Sequence, residues 1–321
     1  MTPRGKHNSP VPGDKRKVDE AADLKNEETP QDPDPKKRKA SSSVEDAVKW
    51  LLSDEALSLA FPALPPGQGE VDWDDSSRPQ ITPPPDDAGK SSQTQTNGNE
   101  NGDGDKNEPL LTYPDSTLTP FQNLVAALLL SKPISHRLGL RTINTLLNPP
   151  FGLRTPQDLD EAGFQGRRKV MWEARTQHKE KTAAQLGDLV GGVREICDDD
   201  EDVENLQGLR ERIKDAENVD GAQKKLEGIL TDGIKGIGPT GAGIFMRRVQ
   251  GLWDEIFPYA DQRALDASVR FGLNEEGDGA RELAEKVDRD RGQFVRLLDV
   301  LVGIHLEKNM NEALRKAGVT D

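Results

Sequence analysis

The sequence predicts an all-α domain behind a long polar tail, on three observations. From Leu111 onward apolar residues recur at helical spacing. Two pairs, Thr119-Pro120 and Thr155-Pro156, put a capping hydroxyl before a proline suited to the first helical position. No alternating run or β-hairpin signal stands out. The division expected is 1–110 for the tail and 111–321 for the helical domain.

The tail is rich in Pro, Ser, Asp, Asn and Gly. Thr2 to Lys39 and Pro65 to Glu108 lack apolar periodicity, and such composition buries too little apolar surface to offset chain entropy. Both stretches are expected to be disordered. Two features interrupt them. Pro35-Lys36-Lys37-Arg38-Lys39, with Lys15-Arg16-Lys17 upstream, is a compact basic run of the kind a nuclear import receptor reads, so a nuclear location is expected. Val44 to Ala60 places Val44, Ala47, Val48, Leu51, Leu52, Leu59 and Ala60 on one helical face, with Ser43 as cap and Pro62 as stop. That face meets a protein partner or folds back on the main domain, unless the segment is only a transient helix with no role.

Within the domain the helices expected are Phe121 to Leu130, Ile134 to Leu147, Thr155 to Ala162, a long polar one from Arg167 to Ile196, then 203–216, 222–231, 239–252, 262–271, 280–287 and 293–317. The acidic run 198–202 reads as a solvated loop, because it lacks the spacing and glycine of a calcium loop.

Composition excludes several classes. The chain has 321 residues and a formal net charge of −14, which argues against nonspecific nucleic-acid binding by bulk charge, though it hides local patches. One cysteine excludes a disulfide framework, a four-thiolate iron–sulfur cluster and a Cys-rich zinc site. The four histidines show no metal-ligand spacing, so neither metal nor cofactor is expected. No apolar run is long enough to span a membrane, and Met1 to Pro12 has no signal-peptide apolar region. A monomer is expected.

The densest signal is Ile234-Lys235-Gly236-Ile237-Gly238-Pro239-Thr240-Gly241-Ala242, between two apolar-periodic segments. The glycines permit a tight turn, Ile234 and Ile237 anchor it inward, and Pro239 opens the next helix. Backbone N–H groups beside a helix start make an anion site, for which DNA phosphate is a fitting occupant. Gly236, Ile237, Gly238, Thr240 and Gly241 are the candidate contacts, and Lys235, Arg247 and Arg248 are expected to add positive charge. Further on, Asp261 stands at the cap position of a helix, with Tyr259 before it and Gln262 after it.

These two pieces together resemble the helix–hairpin–helix (HhH-GPD) DNA glycosylase superfamily, whose founder is endonuclease III. The family pattern is a hairpin of Leu-Pro-Gly-Val-Gly type, a helix, then Val-Asp-Thr-His-Val and a helix closing in Arg-X-Gly-Leu. The chain carries Ile-Lys-Gly-Ile-Gly at 234–238, Ala-Asp-Gln-Arg-Ala at 260–264 and Arg-Phe-Gly-Leu at 270–273, and Thr119 to Ser131 is similar to the family's opening helix. The resemblance spans roughly 115–275.

It implies a two-lobed helical fold and a monofunctional glycosylase acting on a damaged or mispaired base in double-stranded DNA. Asp261 matches the catalytic carboxylate, and Tyr259 and Gln262 are candidates for the base pocket. The family's bifunctional members carry a Lys two residues after the second hairpin glycine. Here that place is Thr240, so no lyase activity is expected. The cluster-binding cysteines of many members are absent, Arg263 replaces a common His, and Lys132-Pro133-Ile134-Ser135 stands where many relatives place a gap-filling Gln. Weaker candidates are Trp172 and Trp253 for stacking, and Arg167, Arg168 and Lys169 for phosphate. Two other readings are a catalytically inactive helix–hairpin–helix DNA-binding protein and a nuclear adaptor acting through 44–60.

Overall fold

The computed structural model describes residues 44–63, 110–197 and 202–319, and among these every regular element is helical. The two stretches expected to be disordered, the basic run at 35–39 and most of the acidic run lie outside the described residues. In chain order the α-helices are α1 (Val44–Leu51), α2 (Asp54–Ala60), α3 (Pro120–Leu130), α4 (His136–Leu147), α5 (Pro156–Glu161), α6 (Gly163–Glu173), α7 (Lys179–Ile196), α8 (Gln207–Ile213), α9 (Val219–Gly233), α10 (Pro239–Val249), α11 (Gln262–Arg270), α12 (Ala280–Glu285), α13 (Arg291–Leu306) and α14 (Met310–Lys316). None is long and apolar enough to cross a membrane.

The apolar residues gather into two clusters. One is built by α3 to α10, around Phe121, Leu124, Leu128, Leu186 and Phe245. The other joins α1 and α2 to the C-terminal helices, around Leu51, Ala60, Phe271, Phe294 and Leu301. α3 carries apolar side chains all round and lies inside the first cluster, with ten of its eleven residues buried, as a helix without a polar face must. Its start is fixed by a capping box in which Thr119 and Gln122 exchange side-chain-to-backbone bonds.

Residues 44–60 belong to the folded unit. They form two helices, not the single one expected. Ser53-Asp54-Glu55 is itself a start signal, a capping hydroxyl followed by two carboxylates. Ser53 takes an extended backbone and accepts from the Ala56 N–H at 3.2 Å. Ala56, Leu57 and Ala60 then pack against α13. Of the two destinations open to this apolar face, the fold-back is the one observed.

Two further expected helices are divided. The 167–196 segment breaks between α6 and α7, where Arg175 takes φ 53° and the Thr176 N–H reaches back to Met171 O at 3.1 Å. The 293–317 segment breaks in the same way, with Lys308 at φ 61° and the Asn309 N–H on Ile304 O at 3.0 Å. Both are Schellman ends, in which one left-handed residue turns the chain off the helix.

Candidate active site

The hairpin is held from inside. Ile234 and Ile237 are buried, and the Ile237 N–H closes the turn on Ile234 O at 3.1 Å. Gly236 sits at φ 102°, and a Cβ there would fall 2.4 Å from Nε2 of Gln185. A side chain at that position is strained by its positive φ and has to displace the Gln185 amide. Gly238 precedes Pro239 as the cap of α10 and offers no side chain of its own. The Ala242 N–H returns to Gly238 O at 2.9 Å. The N–H groups of Thr240 and Gly241 donate to no described residue, as the open first turn of a helix leaves them. Lys235 is 81% exposed, 3.2 Å from Asp188.

Lys132 was no candidate, yet it lies directly under this turn. Its Nζ donates to Gln185 Oε1 at 2.8 Å and lies 3.4 Å from Gly236 O. Burial, with Lys181 nearby, brings its pKa down to about 8.

Asp261 caps α11, its Oδ1 accepting the Ala264 N–H at 3.1 Å. Its Oδ2 accepts from Nη1 of Arg247. Here the structure corrects the sequence reading. Arg247 and Arg248 do not add charge at the hairpin surface, because α10 turns them inward. Arg247 is 5% exposed and reaches Asp261 on one side and Asp299 on the other, at 3.6 Å. Arg248 pairs with Asp299, donates to Pro114 O at 3.0 Å and covers the ring of Tyr113. Burial opposes the charge on Arg247, but Asp261, Tyr113 and Asp299 together outweigh it and raise its pKa.

Asp261 lies on the wall of a cavity of about 270 Å³. Pro239 and Thr240, the start of the helix after the hairpin, line the same space, as do Tyr259, His136 and Phe61. Tyr259 is fixed through its backbone: Gln250 donates to its carbonyl at 2.9 Å and accepts from its N–H at 2.8 Å. Burial, then the nearby Asp261, pushes the Tyr259 pKa up to about 12. Gln262 sits at the exposed rim with its amide on Asp266 at 2.8 Å, and Arg263 joins it there.

The weaker candidates go elsewhere. Trp253 is core, edge-on to Phe245. Trp172 lies under Lys179 and does not line the cavity. Arg167 is buried and staples Leu159 O to Ala183 O. Arg168 pairs with Glu180. Sequence reasoning missed Phe61 and His136. Phe61 ends a segment assigned to the tail, and His136 carries no motif around it. No group of three or more His, Cys, Asp or Glu fit to hold a metal occurs among the described residues. No family model, curated protein or solved structure matches the chain.

Proposed function

We propose that this chain is a monofunctional DNA glycosylase, which hydrolyses the N-glycosidic bond of a damaged or mispaired base with Asp261 as the catalytic carboxylate. One observation carries the reading. Asp261 and the first residues of the helix after the hairpin line a single cavity at the meeting of two helical clusters. Pockets for drug-sized ligands run to about 300–1,000 Å³, so about 270 Å³ suits one extruded heterocycle.

The chemistry follows from the placement. Base-modifying enzymes extrude the target nucleotide into a pocket. As the base departs, positive charge develops on the sugar, and a fixed carboxylate stabilises it and orients the attacking water. The Ala264 N–H and Arg247 each occupy one oxygen of Asp261. Each carboxylate oxygen accepts at about two sites, so acceptor capacity remains, on a side chain 22% exposed. The open N–H groups at Thr240 and Gly241 would receive a strand phosphate, which fixes position without reading sequence. Thr240 offers no amine, so the reaction stops at the abasic site. Nuclear import through 35–39 completes the reading.

The decisive experiment replaces Asp261 by Asn and measures abasic-site formation over a panel of damaged duplexes. Loss of base release by about 100-fold or more, with duplex affinity within a few-fold of wild type, supports the assignment. Equal rates remove Asp261 from the mechanism. A second reading, a DNA-binding protein without catalysis, draws on the Asp261–Arg247 pair, which occupies the carboxylate structurally. It predicts duplex binding with no base release by either protein.

A further inference from the structure

Resting on the glycosylase reading, the geometry points to His136 as the proton donor to the departing base. We infer this from a buried histidine–carboxylate pair that the mechanism so far leaves unused, whose imidazole lines the Asp261 cavity while its carboxylate stands behind. Nδ1 of His136 lies 3.1 Å from Oε1 of Glu307, and the two side chains are 7% and 6% exposed. The other oxygen of Glu307 accepts from Nε of Arg137 at 2.7 Å. The ring of Phe61 packs edge-on against the imidazole, with centroids 5.3 Å apart. Nδ1 is thus committed to Glu307, and Nε2 has no partner among the described residues. An imidazole oriented through one nitrogen and open at the other is the arrangement that lets histidine transfer protons.

The reaction has a use for it. When the bond between C1′ and the base nitrogen breaks, its electron pair goes to the base. A neutral base would leave as an anion, which is costly where its charge is withdrawn from bulk water. The proton on Nε2 of the His136 imidazolium moves to that base, which leaves neutral. Water adds to C1′, its proton passes to Asp261 and on to solvent, and His136 is reprotonated from solvent. A base that is already cationic leaves as a neutral molecule and needs no proton.

Charged groups around the imidazole set when it carries the proton. Glu307 and Asp299 favour the charged form, Arg247 disfavours it, and burial outweighs them, so the pKa lies below the ordinary histidine value of 6.5. Arg137 acts only through Glu307. The start of α4, at which His136 stands, also disfavours its charge. The imidazolium is therefore a ready acid, present in a fraction that shrinks as pH rises.

The test uses the full chain in single-turnover abasic-site assays on duplexes containing a cationic base (N7-methylguanine) or neutral ones (uracil, hypoxanthine), across pH. Wild-type release of neutral bases is expected to fall as pH rises through a value below 6.5, and release of the cationic base to lack that limb. His136→Asn is expected to slow neutral-base release about 100-fold and cationic-base release at least about tenfold less. An equal loss on both classes, or wild-type action on the cationic base alone, overturns the role of His136 and leaves the glycosylase reading standing. Should His136→Asn fail to fold, the wild-type profile decides, and the same pH dependence for both classes overturns the role. Absence of abasic sites in every duplex sinks the glycosylase reading itself, and this role with it.

Discussion

Arg247 donates through Nη1 to Oδ2 of Asp261, while its Nε lies 3.6 Å from Oδ1 of Asp299. One buried guanidinium thereby bridges the start of α11 to the middle of α13. The pairing explains why Asp261 is more than a helix cap. A cap alone contributes about 1 kcal/mol. Removing one partner of a buried ion pair costs about 3–5 kcal/mol, because the other is left uncompensated. Arg247→Met is expected to lower stability by about that amount in urea unfolding. Asp261→Asn should cost less, since Asp299 still faces the guanidinium. An Arg247→Met variant as stable as wild type would contradict the bridge.

The hairpin makes a separable claim. Gly236 stands at φ 102° with the Gln185 amide where its Cβ would go. A residue with a side chain held there is strained by about 1–3 kcal/mol, and Gln185, which also holds Lys132, must shift. Gly236→Ala is expected to melt earlier and to bind damaged and undamaged duplexes more weakly by a similar factor. Calorimetry and fluorescence anisotropy read these two effects. A variant that discriminated more sharply between the duplexes would argue against a phosphate role for the turn.

Helix starts that carry a capping side chain before a proline or an apolar run were legible in the sequence. Starts without one (α6, α7 and α8) were not, and some helix ends were hidden for a related physical reason. The legible starts depend on side chains, so Thr119, Thr155 and Asp261 announce them. Ends depend on a residue entering the left-handed region, and only glycine advertises that ability. Gly272 and Gly318, at φ 69° and φ 73°, close α11 and α14 where the sequence shows a stop. Arg175 and Lys308 do the same work with no such signal, which is why two long helices were expected where four stand. The site divides along similar lines. Asp261 and the hairpin lie in contiguous motifs. His136 and Phe61 reach the cavity only through tertiary packing, Phe61 from a segment set outside the domain by its polar surroundings. The inward turn of Arg247 and Arg248 was hidden because their acceptors, Asp261 and Asp299, are distant in sequence.

That segment is seated by a close approach. A Cβ on Gly303 would lie 2.7 Å from Ala60 Cβ, 2.9 Å from Ala60 O and 3.1 Å from Phe61 Cε2. Backbone on one side of the contact cannot yield cheaply. Asn309 also holds Leu59 O at 3.0 Å, and Lys316 holds Glu55 at 2.8 Å, so the end of α2 has little room to slide. Gly303→Ala is expected to cost about 1–3 kcal/mol by overpacking and to speed proteolytic cleavage between 44 and 63. Unchanged stability and cleavage would mean that α2 does not rest on α13 in solution.

The two tyrosines of the chain give a readout of the cavity that needs no substrate. Burial raises both: Tyr113, with Asp299 adding to the rise, and Tyr259, to about 12, with Asp261 adding. Unfolded tyrosines ionise near the ordinary value of 10. Between these values the folded chain holds more protons than the unfolded one, so stability falls as pH rises through that interval and is undiminished below it. Alkaline titration followed by phenolate absorbance, with circular dichroism alongside, is expected to show no tyrosine ionising near 10 while the helices persist. The phenolate signal should appear only as helix content is lost or as pH approaches 12. A folded Tyr113→Phe variant whose remaining tyrosine ionises at 10 would place the Tyr259 ring in solvent, away from Asp261, and the wall of the cavity would have to be redrawn.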